Sequence, residues 1–492
     1  MKRLVFCFDG TWNRIDGKDP TNVARVAQSI SRFDGDGVPQ LIYYDEGVGT
    51  TRTEKWSGGI FGHGLTNKIV AAYHFLVLNH EPGDEIYVFG FSRGAFTARS
   101  FVGLLRNAGI MSRRSLHHIR EAVKLYMGRS ADSDPNSERA REFRYRHCPM
   151  LCVPGDRDWR SAAYPDASRP DASDLRVRYL GVWDTVGALG IPAHLKPLAW
   201  LNGHHRFHDT ALSSFVERAR HAVAADEKRR SFEPAVWTNL NDLNPKEGKP
   251  LYEQLIFPGV HSAVGGGGPV RGLSDIALEW VFQGARDQGL EFDRDDQSPI
   301  FNLLPDHRAQ LFNATGKTKW SLGDWLMGVG IRDRRFPEFD RTALHISVAR
   351  RFAEKPERLA ERQAYRPPAL KDLWGALESM GRQARQGARK IVSTLTEQGD
   401  ERALRAPARV RRYTVRPGDT LANIAEEQMG NAAEQEVLKA HNLGVGLLFD
   451  DLRLYAGSEI EIPEYDKVAS ALPSDGDATA SKPSEGEAGS RK

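Results

Sequence analysis

Short apolar runs alternate with helical hydrophobic patterns along the first 350 residues of the chain. Leu4 to Phe8 is apolar and aromatic and stops at Asp-Gly, as a buried strand does. Between Thr66 and Asn79 the apolar positions recur at helical spacing. The same patterns predict strands over 41–44, 86–89, 177–182 and 254–260, and helices over 95–105 and 277–290. Such alternation predicts an α/β fold, a mostly parallel sheet flanked by helices.

The pattern changes outside these elements and divides the chain. Residues 128–175 are polar throughout, which predicts an insertion or a mobile loop outside the core. We assign 1–350 to the α/β domain, 351–410 to a basic helical linker, 411–464 to a small C-terminal domain and 465–492 to a disordered tail.

The segment 351–410 has an excess of basic residues and apolar positions at helical spacing from Leu370 to Leu395. One interpretation is a basic amphipathic helix on an anionic membrane. The other is a helix packed on the α/β domain, or a linker, with the basic face in solvent. We favour packing or a linker.

Composition excludes several classes of protein. A net charge of +3 over 492 residues gives no reason to expect a nucleic-acid partner. Three cysteines do not make a disulfide framework. His147-Cys148 with Cys152 hints at a metal site, but no fourth ligand is evident, so we expect no metal and no cofactor.

The N-terminal apolar run is shorter than a signal peptide requires, and the chain has no uncharged apolar stretch of about 18 residues. We therefore expect synthesis and folding in the cytoplasm, with any other site of action reached by a different route.

Ser92 is the candidate nucleophile. It is the centre of Gly90-Phe91-Ser92-Arg93-Gly94, with a predicted strand directly before and a predicted helix directly after. This strand–turn–helix setting is what a nucleophile elbow requires, and it predicts an α/β-hydrolase-like domain. The alternative is a glycine-rich turn in which the serine only caps the helix.

A serine nucleophile needs a base and a group that orients the base. His261 and Asp184 each follow a predicted strand, and they follow Ser92 in the chain order that this fold uses. We assign His261 as the base and Asp184 as its partner. The rival bases are His204, His205, His208, His221 and His345.

Backbone N–H groups near Ser92 are candidates for the oxyanion hole. Arg93 follows the nucleophile at the start of a helix, where the helix dipole favours negative charge. The second donor is predicted to be the N–H of Gly10 or Thr11, in the loop after the first strand. We expect Asp9 to order that loop.

Several motifs occur together in a fixed order: Phe8-Asp9-Gly10-Thr11-Trp12-Asn13, Thr21-Asn22-Val23, Tyr43 to Thr50, Gly90 to Ala95, Gly181 to Gly187, and Phe257 to Ser262. With them, residues 1–350 resemble the α/β-hydrolase family of bacterial type VI secretion lipase effectors. The resemblance implies a triad of Ser92, Asp184 and His261, and phospholipase A-type hydrolysis. One position departs, because Ala263 stands where the family usually has Asp, which puts the order of this loop in question.

The C-terminal domain resembles a LysM domain, a βααβ module, through Tyr413 to Leu421 and the closing run from Gly457 to Pro463. The resemblance implies binding of N-acetylglucosamine-containing glycans such as peptidoglycan. The implied groove involves Gly418, Asp419, Thr420 and Asn442. A structural or partner-binding use of the same fold is the alternative.

Taken together, these features predict a serine esterase that hydrolyses acyl esters of membrane glycerophospholipids as a secreted antibacterial effector. The alternatives are a housekeeping carboxylesterase on soluble or cell-wall-linked esters, and a non-enzymatic glycan-binding protein on a hydrolase scaffold. Expected partners are membrane phospholipid, peptidoglycan or a related glycan, a secretion-machine component and an immunity protein. We expect delivery to the periplasm or membrane of a target cell.

Overall fold

The computed structural model describes residues 1–10, 13–47, 60–128, 130–165, 172–187, 211–293, 303–312, 332–337, 339, 341–382, 393, 407–416, 419–444, 454 and 459–465.

A six-stranded sheet forms the centre of the α/β domain. Its strands are β1 (Arg3–Phe8), β2 (Gln40–Asp45), β3 (Glu85–Phe91), β6 (Tyr179–Trp183), β7 (Ala219–Ala224) and β8 (Tyr252–Phe257). They lie in the order β2-β1-β3-β6-β7-β8, and every pairing is parallel. Two further short strands, β4 (Leu151–Cys152) and β5 (Ser173–Asp174), pair with each other. The α/β fold with a mostly parallel sheet is confirmed.

Helices cover both faces of the sheet. They are α1 (Asn22–Ser29), α2 (Ile60–Asn79), α3 (Arg93–Ala108), α4 (Ile119–Met127), α5 (Glu138–His147), α6 (Asp156–Ala163), α7 (Leu240–Leu243), α8 (His261–Gly265), α9 (Gly272–Arg286) and α10 (Ile346–Ala353). In the described part of the chain, no helix combines the length and the apolar character needed to cross a bilayer.

Alternating side chains of the central strands enter two separate cores, as the two-residue period of a strand requires. On one face, Leu4, Phe6 and Phe8 of β1 pack with apolar side chains of α2 and α3. On the other face, Val5 and Cys7 pack with α1 and α9. Because both faces are buried, the strands read as continuous apolar runs in the sequence.

The polarity of residues 128–175 predicts an insertion outside the core, but several residues of this segment are buried in the core. Helices α5 and α6 lie there, and Phe143, Cys148 and Leu151 are buried in the same core as β1. Arg144 is also buried, and its guanidinium is paired with Asp156. The prediction was wrong because charged side chains that pair with one another can accompany a packed face.

The first part of the segment assigned to a linker packs on the sheet. Leu370 and Leu377 are buried in one cluster with Val223 of β7 and Ile256 of β8. Residues 374–382 form helix α11. The later apolar positions of this pattern, Ala384, Ala388, Ile391 and Leu395, lie outside the described residues.

The C-terminal unit has the element order strand, helix, helix, strand. Strand β9 (Arg409–Thr414) is followed by α12 (Leu421–Met429), α13 (Gln435–Gly444) and β10 (Glu459–Glu464). The two strands pair antiparallel, and the unit has its own small apolar cluster. The LysM assignment stays a prediction, and the tail predicted to be disordered lies outside the described residues, except for 465.

Candidate active site

Ser92 occupies a sharp turn between β3 and α3. Its φ of 60° is unusual for a residue with a side chain. Among the described residues, the non-glycine residues with positive φ are Ser92, Asp184 and Arg362. Such conformations cost about 1–3 kcal/mol each and concentrate at functional sites. Two of these three positions are predicted site residues.

The glycines on either side of Ser92 allow the turn to form. A Cβ on Gly94 would lie 2.2 Å from the carbonyl oxygen of Phe8, and one on Gly90 would lie 2.6 Å from the Cα of Ala95. Both distances are shorter than real Cβ contacts, so only glycine lets α3 approach β1 and β3 this closely. The sequence therefore dictates the elbow that presents Ser92 at the carboxyl edge of the sheet.

The structure brings Ser92, His261 and Asp184 into one hydrogen-bonded chain. His261 Nε2 lies 2.8 Å from Ser92 Oγ, and His261 Nδ1 lies 2.6 Å from Asp184 Oδ2. With the proton on Nδ1, the ring donates to the carboxylate and its Nε2 accepts the serine hydroxyl proton. All three side chains are almost completely buried. This arrangement can activate a serine oxygen as a nucleophile.

Asp184 has a further partner, the cationic side chain of Arg334, that the sequence did not reveal. The guanidinium of Arg334 donates to both carboxylate oxygens, at 2.7 Å to Oδ1 and 2.9 Å to Oδ2. The N–H of Ala224 donates to Oδ1 at 2.9 Å. Burial alone would raise the pKa of Asp184, but Arg334 and the His261 hydrogen bond hold that pKa well below its usual range. Asp184 is therefore ionised.

Two carboxylates at the end of β7 hold the loop that carries His261. Asp226 accepts the N–H of Gly259 at 2.7 Å, and Glu227 accepts the N–H of His261 at 3.2 Å. The imidazole lies between the rings of Phe91 and Phe232, with ring centroids 4.6 and 4.7 Å away. Backbone and ring of the histidine are thus both fixed.

Ala263, where the resemblance implies an Asp, lies in the short helix α8 that begins at His261. Its side chain is buried in a small apolar cluster with Val260 and Leu273. A carboxylate at this position would lose its hydration, and the apolar side chains around it could not replace those hydrogen bonds. Asp226 and Glu227 order the loop from the neighbouring strand instead.

The predicted oxyanion donors are backbone N–H groups near Ser92. The N–H of Gly10 donates to Asp9 Oδ1 at 2.6 Å in this conformation, and its role as an oxyanion donor stays a prediction. Gly10 itself does lie beside the nucleophile, because a Cβ on it would be 3.3 Å from Ser92 Cβ. Thr11 lies outside the described residues. Arg93 is the first residue of α3, directly after Ser92, as predicted.

Asp9 orders the loop after β1. Its carboxylate accepts hydrogen bonds from Thr21 Oγ1 at 2.7 Å and from the Tyr44 hydroxyl at 2.6 Å, besides the Gly10 N–H. Burial raises the pKa of Asp9, and these hydrogen bonds oppose that rise. The motifs around Thr21 and Tyr44 thus meet at one carboxylate next to the elbow.

The rival histidines in the described part have structural partners. His221 accepts the N–H of Thr185 through Nε2 and bonds Gln254 through Nδ1, and burial lowers its pKa to about 3. His345 caps α10 by accepting the N–H of Ser347. His204, His205 and His208 lie outside the described residues.

The two cysteines near the hinted metal site are both buried. Cys148 is buried and its thiol donates to the carbonyl of Ala108 at 3.2 Å. Cys152 is buried as well, and burial raises the pKa of both thiols. Thiols that resist deprotonation are poor metal ligands. His147 instead faces His118, with ring centroids 4.2 Å apart.

Three of the predicted glycan-binding residues, Asp419, Thr420 and Asn442, lie in the described part of the chain and make local contacts. Asn442 is fully buried, and its amide bonds Leu438 and both backbone groups of Glu461, so the prediction that it contacts a glycan is corrected. Asp419 accepts from the Tyr413 hydroxyl and the N–H of Arg416. Thr420 caps α12. Gly418 lies outside the described residues.

The chain is similar to proteins of bacteria and yeast. It is 28% identical over 259 residues to an uncharacterized protein of Saccharomyces cerevisiae, and the match covers 49% of this chain and 33% of that protein. A crystal structure of an uncharacterized protein from Pseudomonas aeruginosa aligns at 17% identity and a TM-score of 0.36, covering 91% of this chain and 74% of that one. The Tle1 effector bound to the VgrG spike of the type 6 secretion system aligns at 18% identity and a TM-score of 0.28, covering 55% and 52%.

Residues 2–284, more than half of the chain, match the family described as "T6SS, Phospholipase effector Tle1-like, catalytic domain". The matched span includes Ser92, Asp184 and His261. The chain belongs to the Tle1-like phospholipase effectors of type VI secretion, and its parallel α/β domain carries their catalytic domain.

Proposed function

We propose that this protein is a serine esterase that hydrolyses the acyl esters of membrane glycerophospholipids, a phospholipase A-type activity. The observation that carries the proposal is the hydrogen-bonded chain from Ser92 Oγ through His261 to Asp184 at a strained elbow. The family supports the lipid substrate. A metal is not needed for this chemistry.

The reaction has two halves. Ser92 Oγ attacks the ester carbonyl carbon while its proton passes to His261 Nε2, which gives a tetrahedral intermediate. The intermediate collapses, the ester C–O bond breaks, and His261 gives its proton to the departing lysophospholipid oxygen. The acyl group remains on Ser92.

Water then reverses the roles. His261 removes a proton from water, the resulting hydroxide attacks the acyl carbon, and Ser92 leaves with the proton returned by His261. The fatty acid is released. Asp184 stabilises the imidazolium in both halves, and the Arg93 N–H at the start of α3 is the proposed oxyanion donor.

Vesicles of phosphatidylethanolamine and phosphatidylglycerol test the substrate. The full chain is incubated with them, and products are identified by mass spectrometry. We expect free fatty acid and lysophospholipid with the wild type and with Ser100→Ala, a buried serine further along α3. We expect about 10⁶-fold less turnover with Ser92→Ala, because the nucleophile is lost.

The same assay separates the other functions. Turnover of short soluble esters without lipid turnover would replace the proposal by a carboxylesterase. A folded wild type that cleaves neither would indicate a binding protein on a hydrolase scaffold.

Delivery and targeting belong to the same proposal. As a type VI effector, the protein would be synthesised in the cytoplasm and passed by the secretion machine to the periplasm or membrane of a target cell. An immunity protein would protect sister cells from its activity. The strand–helix–helix–strand unit of residues 409–464 would bind peptidoglycan as a LysM domain does. Wild type, but not a chain ending at residue 406, should then sediment with purified peptidoglycan.

A further inference from the structure

A second group of reactive side chains lies outside the proposed active site. His118, Glu121 and His147 each direct a potential ligand atom towards the others, and these atoms all lie within 4.8 Å of one another. None of the three belongs to the machinery around Ser92. His118 and His147 are partly buried, and Glu121 is exposed.

Three elements bring these side chains together. His118 ends the short 3₁₀-helix Arg113–His118, and Glu121 lies in the first turn of α4. His147 is the last residue of α5. The N–H of Ser112, directly before the 3₁₀-helix, donates to the carbonyl of His147 at the end of α5, at 2.8 Å. The cluster therefore bridges two separate stretches of the chain at a fixed backbone separation.

The distances are close to those of a tetrahedral metal site. His118 Nδ1 lies 3.2 Å from Glu121 Oε2. Ligands about 2.0–2.1 Å from a tetrahedral Zn²⁺ lie roughly 3.3 Å from each other, which is close to the separation of this pair. The rings of His118 and His147 have centroids 4.2 Å apart, and the ligand atoms of all three residues lie within 4.8 Å of one another.

We propose that His118, Glu121 and His147 bind a divalent transition-metal ion, with Zn²⁺ as the best match. Two imidazoles and one carboxylate suit Zn²⁺ and its transition-metal neighbours, whereas Mg²⁺ and Ca²⁺ prefer oxygen ligands alone. Three protein ligands leave one tetrahedral position for water. The ion joins the start of α4 to the end of α5.

Neighbouring side chains surround the cluster. Arg146, next to His147 in the chain, is ion-paired with Glu142. The ring of Phe143 lies 4.6 Å from that of His147 and restricts its rotation. The ring of His117 lies against that of His118, with centroids 4.2 Å apart and the two planes tilted. The ligand rings are thus held by neighbours before any ion arrives.

Titration of the chelator-treated full chain with Zn²⁺ tests the site. Calorimetry is run on the wild type, His118→Ala, His147→Ala and Glu121→Gln. The matched control is His441→Ala, which removes an imidazole paired with a single carboxylate, Glu461, at 3.0 Å. Thermal unfolding with and without Zn²⁺ gives a second readout, because an ion that binds only the folded chain raises the midpoint.

We expect one Zn²⁺ per wild-type chain and a Zn²⁺-dependent rise in the unfolding midpoint, both kept in His441→Ala. Each ligand variant should bind Zn²⁺ more weakly. Loss of a group that only hydrogen-bonds a metal ligand costs roughly 10- to 100-fold in affinity, so loss of a ligand itself should cost at least as much. The exposed Glu121→Gln preserves shape, so it serves if a histidine variant does not fold. Equal binding by all chains, or none by the wild type, would overturn the proposal.

Discussion

At the scale of single residues, the central feature is the buried carboxylate of Asp184, both of whose oxygens accept hydrogen bonds. Asp184 accepts from His261, from the Ala224 N–H and twice from Arg334. A buried charge is tolerable only when it is paired and hydrogen-bonded. Arg334 is anchored in turn by the carbonyl of Ala224 at 2.6 Å. The proposed catalytic acid is thus held in one position and one ionisation state.

Arg334→Met should move the acid limb of the pH profile upward. Arg334 lowers the pKa of Asp184 against the effect of burial, so its removal raises that pKa. At a given acidic pH, a larger fraction of Asp184 is then neutral and cannot stabilise the imidazolium. Below the new pKa, activity should approach the about 10⁴-fold reduction that a neutral acid partner causes. The measurement is kcat/KM for a short ester from pH 4 to 9.

Arg335→Met is the matched control, because Arg335 is exposed and adjacent. Arg335→Met should leave the pH dependence of kcat/KM unchanged. If both variants keep the wild-type acid limb, Arg334 does not set the ionisation of Asp184.

The residues of the site were not equally predictable. Ser92, Asp184 and His261 each follow a strand that the apolar pattern reveals, and the ends of parallel strands meet at one edge. Arg334 belongs to no such element and lies 150 residues beyond Asp184. A charged residue in a polar stretch carries no local signal of burial, so only the folded chain identifies it.

At the scale of elements, the elbow depends on close contact between α3 and β1. Strand β3 pairs with β1 along its length, and Gly94 brings the first turn of α3 against the backbone of Phe8 and Asp9. Backbone atoms cannot yield as a flexible side chain can. The geometry of the nucleophile is therefore set by the sheet and not by the turn alone.

Gly94→Ala should destabilise the protein and reduce activity together. The added Cβ would meet the Phe8 carbonyl oxygen at 2.2 Å, and overpacking of this kind costs about 1–3 kcal/mol or more. Unfolding in urea measures the free energy, and ester turnover measures the site.

Gly375→Ala provides the control, since nothing lies within 4 Å of its added Cβ. It should be neutral or slightly stabilising. Equal stability of the two variants would show that α3 and β1 are not in close contact.

One central strand escaped prediction for a physical reason. Strand β7 reads Ala-Arg-His-Ala-Val-Ala, and its Arg220 and His221 break the apolar run. In the folded sheet, Arg220 pairs with Glu253 at 2.8 Å and His221 bonds Gln254 at 2.8 Å, both on β8. Cross-strand partners make these polar residues acceptable, and such partners are invisible to a local pattern.

At the scale of the whole molecule, the α/β domain continues beyond the part matched to the family. The N–H of His345 donates to the carbonyl of Ile256 at 3.1 Å, which adds a bridge along the edge strand β8. Leu370 and Leu377 then pack in the cluster that includes Val223 and Ile256. Periodicity predicted a helical pattern here, but it could not decide between a linker and a packed helix, because both show the same apolar spacing.

Leu377→Ala should reduce the free energy of unfolding by about 2–5 kcal/mol, the usual cost of removing a buried leucine side chain. Leu78→Ala, at an exposed position of α2, should change it by less than about 0.5 kcal/mol. Urea unfolding compares the two. A negligible effect of Leu377→Ala would mean that this segment is a linker after all.

Covalent labelling with a fluorophosphonate, followed by peptide mass spectrometry, tests the central claim most directly. The proposed activation of Ser92 by His261 predicts that the wild type carries a single phosphonyl adduct on Ser92, that Ser100→Ala labels equally, and that Ser92→Ala does not label. A folded wild type that takes up no probe, or an adduct on another residue with Ser92 unmodified, would contradict the account.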